Sequence, residues 1–185
     1  MATLITPQNY SVDNLPLGSV ERAPASIRHM NEIVSDLNCA GSFYNSTTIT
    51  TAAINTAYPV PTPTTVYSEG MGYVSNTILL LKAGTYSFDF TIQVFKNNTS
   101  AEGSLTAWLA INGTNQDYTA NTISMAITNQ VGVLTLHSHV VITEPQSRVG
   151  LLYAANSTDM QLRASVASAP YPAIAGVTLE VNKIR

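Results

Sequence analysis

Residues 83–95, Ala-Gly-Thr-Tyr-Ser-Phe-Asp-Phe-Thr-Ile-Gln-Val-Phe, constrain the fold more than any other part of the chain. Alternate positions give Tyr86, Phe88, Phe90, Ile92 and Val94, and the positions between them give Thr85, Ser87, Asp89, Thr91 and Gln93. A β-strand repeats every two residues, so this segment is a strand with one apolar and one polar face. Burying the five apolar side chains contributes about 8 to 12 kcal/mol as an upper bound, enough to make this the central strand of a core.

From Gly41 onward the chain continues in the same manner. Short apolar-alternating runs cover residues 42–52, 74–84, 104–113, 121–128, 131–143, 147–155, 160–168 and 176–184. Turn-forming clusters separate them, among them YPVPTPT, KNNTSAEG, NGTNQD, EPQS, NSTD and APYP. Many short strands with no helical pattern between them predict an all-β antiparallel sandwich or barrel. In the last strand Val177, Leu179 and Val181 face inward while Thr178, Glu180 and Asn182 face outward. The register of the first strands stays open between Ser42 and Tyr73, where Pro59, Pro61 and Pro63 interrupt the pattern.

The first forty residues read differently. Pro7, Pro16 and Pro24 punctuate a stretch without sustained period, which predicts an extended arm. A short helix is expected over about 26–37, where Ile27, Met30, Val34 and Leu37 form one stripe and Ser26 is a fitting N-cap. About three turns are marginal alone, so this helix must dock; its stripe fits either a domain surface or a short coiled-coil seam. The expected organisation is an arm with helix over 1–40 and a β domain over 41–185.

Composition narrows the function. Charged residues are 10% of the chain, against about 25% in an average domain, and no Lys or Arg occurs between Lys96 and Arg148. Without a basic patch, the counterion release that drives nucleic-acid binding has no footprint, so no nucleic-acid partner is expected. The opening residues lack the basic and apolar regions of a signal peptide, and no run approaches a membrane span. The expectation is a protein made in a cytoplasm, with no membrane partner. The single Cys39 excludes an intrachain disulfide framework and reads as a small buried side chain. Sequons at Asn45, Asn97, Asn98, Asn112 and Asn156 are expected by chance in a chain this rich in Asn, Ser and Thr.

Catalytic motifs are missing: no nucleophile elbow, P-loop, zincin helix or dinucleotide fingerprint occurs, and the eleven carboxylates are scattered singly. No enzymatic activity and no cofactor are expected. One constellation remains, His137 and His139, two apart on a strand and hence on one face. Around a threefold axis such a pair would present six imidazoles, enough for a metal. Thr135, Thr143, Val133 and Val141 share the face, and the structural reading, a half-polar sheet surface without metal, is the favoured one. Trp108, out of phase with Leu105, Ala107, Leu109 and Ile111, could stack on a sugar or fill an intersubunit contact, the second being favoured. Tyr171, between Pro170 and Pro172, sits on a stiff loop that either covers a core edge, the commoner case, or contacts a sugar or receptor.

The segments LKAGTYSFDFTIQVF, LAING, RVGLLYAA and GVTLEVNKIR together resemble the trimeric jelly roll of the tumour-necrosis-factor and complement C1q type. The likeness covers about 41–185. Family members often carry Gly-Asp before the penultimate strand pair, where this chain reads EPQSRVGL. A module of this kind behind a short non-collagenous arm is similar to virion proteins of tailed bacteriophages. The resemblance implies a jelly-roll sandwich, a homotrimer, and a capsid decoration or cement protein on the virion exterior. Its arm, through Leu4, Ile5, Tyr10, Leu15 and Leu17, would grip the major capsid protein. Fully extended, about 25 residues reach about 80 Å. The alternative is the receptor-binding tip of a head or tail fibre, and a third class is a free-standing carbohydrate-binding or signalling module.

Overall fold

The structure is a computed structural model that describes residues 39–97 and 101–184. The expected arm and the helix with its stripe, including Leu4, Ile5, Tyr10, Leu15, Leu17, Ile27, Met30, Val34 and Leu37, lie outside the described residues. The described residues belong to the compact unit Cys39–Arg185.

This unit is an all-β sandwich of two antiparallel sheets. The first sheet contains β1 (Ala40–Asn45), β2 (Ile49–Thr50), β4 (Thr64–Glu69), β7 (Gly84–Lys96), β11 (Val131–Ile142), β13 (Met160–Leu162) and β14 (Val177–Lys183). The second contains β3 (Tyr58–Pro59), β5 (Met71–Val74), β6 (Thr77–Leu80), β8 (Gly103–Ile111), β9 (Thr114–Asn115), β10 (Asn121–Met125) and β12 (Ser147–Ala155). One edge of β7 pairs with β11 along 84–95, and the other pairs with β14 and then β13. Beyond β14 come β1 and β4. In the second sheet β8 and β12 lie centrally, flanked by β10 and by β6 with β5. Because the chain passes repeatedly between sheets, most spatial neighbours are distant in sequence, an arrangement compatible with a jelly roll.

The alternation of β7 decides which face is inside. Tyr86, Phe88, Phe90, Ile92 and Val94 are each at most 2% exposed and meet Leu105, Ala107 and Leu109 of β8 and Val149, Leu151 and Tyr153 of β12 in one core. Lys96 continues the same inward row and is buried. Its stem runs beside Gly103, where an added Cβ would also press on Met160 Sδ.

Several strand expectations change in the structure. Residues 74–84 are not one strand: Ser75 and Asn76 both have positive φ, 50° and 61°, and make the two-residue turn that joins β5 to β6. That pair of values is the type I′ geometry that matches the twist of a hairpin, and Asn tolerates it. The run over 42–52 divides into β1 and the two-residue β2, and the run over 160–168 is strand only to Leu162. The segment 58–69 carries β3 and β4 despite its prolines. Pro59 sits in a two-residue strand on the outer edge of β12, and β4 starts just after Pro63, positions where a missing N–H costs no ladder bond.

Candidate functional site

The outward side of the first sheet is the most distinctive surface. Cross-strand register arranges it in rows. His137 on β11 lies opposite Asp89 on β7, then Glu180 on β14, then Ser42 on β1 and Tyr67 on β4. The next row runs His139, Ser87, Asn182, Ala40 and Glu69, and on the other side lie Thr135, Thr91, Thr178, Tyr44 and Thr64. Val133, Val131 and Val141 extend β11 at either end and are 56%, 55% and 62% exposed. Val131 and Val133 lie at one end of β11 and Val141 at the other, with His137 and His139 between them.

The two histidines meet within this surface. Asp89 accepts a hydrogen bond from His137 Nδ1. His137 Nε2 stands 3.2 Å from His139 Nε2, and the rings meet edge to face. The His137 side chain is 61% exposed and that of Asp89 43%. Asp89 and Glu180 are register partners, so two carboxylates sit side by side here. Among the described residues no group of three or more His, Cys, Asp and Glu converges on one point.

The outer side of the second sheet is built differently. Trp108 is half-buried on it, and its indole Nε1 donates to Asn115 Oδ1 at 2.9 Å. Thr106 and Thr122 share a hydrogen bond of 2.8 Å across β8 and β10. Asn112, in the Asn-Gly turn between β8 and β9, accepts from the Arg148 amide at 2.8 Å. Trp108 is therefore held by its own sheet through Asn115.

Tyr171 lies on the connection between β13 and β14. Isolated bridges Ser165 with Ile174 and Ser168 with Tyr171 fold this segment back on itself, with a cis peptide at Ala169-Pro170. Val166 is 88% exposed and Tyr171 72% exposed at its tip, so this tyrosine covers no core edge, the reading favoured from sequence. Cys39 is buried and its thiol donates to the Gly70 carbonyl. Tyr153, in the core against Tyr58, has its phenol pushed above the usual range by burial, which outweighs a hydrogen bond with Thr51 acting the other way.

Sequence reasoning placed His137 and His139 on one face but missed their carboxylates. Asp89 was visible as an outward residue of β7, yet only the β7–β11 register sets it opposite His137. No protein-family model matches the chain, and the search of curated proteins returns no match.

Proposed function

We infer that the chain is a structural protein of a virion, a homotrimer that decorates or cements a capsid and is held to the major capsid protein by its N-terminal arm. The observation that carries this reading is the outward side of the first sheet, where exposed Val131, Val133 and Val141 lie among threonines. The valines and threonines supply small and apolar area for a contact between copies, with the carboxylates Asp89, Glu180 and Glu69 of the same side falling at its solvated rim. The likeness to the tumour-necrosis-factor and C1q jelly roll, noted from sequence, supports the same assembly. The arm, with Leu4, Ile5, Tyr10, Leu15 and Leu17 and few charges, suits an anchor whose grip depends weakly on salt.

Co-sedimentation with undecorated capsids tests the reading. Full-length protein should bind at low and high salt, and deletion of residues 1–24 should leave a folded trimer that no longer binds. Equal binding by both proteins would move the anchor into the sandwich. A second reading, the receptor-binding tip of a fibre, draws on the projecting segment with Val166 and Tyr171. Binding to host cells or a glycan array, lost in Tyr171→Ala, with no binding to capsids, would establish it instead.

A further inference from the structure

His137 and His139 hydrogen-bond through their Nε2 atoms, an arrangement that brings two metal-ligating nitrogens to one place on the surface. Neutral imidazoles on alternate strand positions normally point their nitrogens into water. Here both Nε2 atoms are turned toward one another, 3.2 Å apart. The Asp89 carboxylate accepts from Nδ1 of His137, which leaves the Nε2 lone pair of His137 to accept from His139 Nε2–H; a metal would take that proton's place, with His139 shifting to its Nδ1–H tautomer. Two nitrogens at this separation are bridged by a cation about 2.0 to 2.1 Å from each, with an angle of about 103° at the metal, close to tetrahedral.

The electrostatics point the same way. Glu180 is the register partner of Asp89, and Glu69 lies at the end of the adjoining row. None of the positions in the rows of His137, His139 and Thr135 carries Lys or Arg. A cation at the two Nε2 atoms would offset the repulsion between Asp89 and Glu180, which a neutral site leaves in place.

We propose that His137 Nε2 and His139 Nε2 form a two-nitrogen chelating site for a divalent first-row transition metal, with Asp89 as the positioning carboxylate behind His137. The imidazole pair selects the zinc, nickel and copper class over magnesium and calcium, which take oxygen ligands. One chain supplies two ligands, so in the single chain the remaining positions on the metal are open to water, and in the proposed trimer, which uses the same side of the first sheet, they face the contact between copies. The site belongs to the single chain and stands whether or not the chain assembles on a capsid.

Calorimetric titration of the full chain with Zn²⁺ near neutral pH is the test, backed by the nitrogen couplings of bound Cu²⁺ in electron paramagnetic resonance. One Zn²⁺ per chain should bind, and His137→Ala or His139→Ala should each weaken binding by about 30-fold or more. Both side chains are exposed, so unchanged circular dichroism is expected in these variants. Asp89→Asn should keep both nitrogen couplings while lowering affinity about tenfold, the scale on which such supporting carboxylates act. His29→Ala, at the third histidine of the chain and outside the described residues, should leave binding unchanged. Zn²⁺ binding that survives the His137→Ala/His139→Ala double variant, that is lost in His29→Ala, or that is absent from the wild-type protein at millimolar metal overturns the proposal.

Discussion

The two outward sides of the sandwich are made from the same polar vocabulary and differ in how much apolar area they leave open. On the second sheet the side chains answer one another: Thr106 bonds Thr122, Trp108 bonds Asn115, and Asn112 bonds the Arg148 amide. On the first sheet His137 bonds both Asp89 and His139, but Val131, Val133 and Val141 stand open and Asp89 shares a register position with Glu180. A surface that satisfies itself needs nothing further. The first sheet leaves the apolar area of Val131, Val133 and Val141 open, and that surplus supports the assembly contact we propose.

The largest test separates inside from outside on the strand that both faces depend on. Phe88→Ala should cost about 3 to 5 kcal/mol, because it empties a closely packed core position. Asp89→Ala, one residue along, should change stability by no more than about 1 kcal/mol, as expected at an exposed site. Comparable losses by chemical denaturation would mean that the two faces of β7 have been wrongly distinguished.

Assembly sharpens the comparison further. A charge placed on the open face, Val133→Asp, should convert a trimer to monomer in analytical ultracentrifugation while circular dichroism stays that of a folded sandwich. The matching change on the other sheet, Thr122→Asp, should leave the mass as it was and cost about 1 kcal/mol for the lost Thr106 bond. If Thr122→Asp dissociates the protein and Val133→Asp does not, the assembly face belongs to the second sheet.

The smallest effect concerns the inner wall of the second sheet. Burial favours the neutral phenol of Tyr153, so its folded pKa lies above the unfolded value. The contribution is complete below about pH 10 and is lost as pH rises through the folded pKa. Tyr153→Phe removes an ionisation that the fold resists, so its stability should fall less steeply than wild type between neutral and strongly alkaline pH. Parallel curves for the two proteins would show that Tyr153 reaches water in the folded state.

What could be read from sequence followed from how strongly each segment alternates. The run from Tyr86 to Val94 left one choice of inward face, and Ser147–Ala155 was legible as a strand to its ends. Around Tyr58–Glu69 the signal failed, because Pro59, Pro61 and Pro63 argue for loop while β3 and β4 tolerate them as edge strands. At Val74–Thr77 a β-hairpin was hidden inside an apolar run, since Ser-Asn is a weaker turn signal than Asn-Gly. The site was half legible: spacing puts His137 beside His139, whereas Asp89 joins them only through a pairing 48 residues apart in sequence. Such register is a property of the folded sheet.

The position of β14 carries a consequence for how the protein comes into being. This strand, the last of the described strands to be synthesised, is inserted between β7 and β1, with partners such as Phe90 for Leu179 and Phe43 for the same residue on the other side. Until it is translated, β7 and β1 each hold an open backbone edge in what will become the middle of a sheet, and the nascent chain must remain unpaired while those edges are most adhesive. The sheet therefore closes in a late step, joining segments from opposite ends of the domain, and slow folding is the cost of such distant pairings. A ribosome that stalls before Val177 would release an intermediate ready to capture the β14 of a neighbouring molecule.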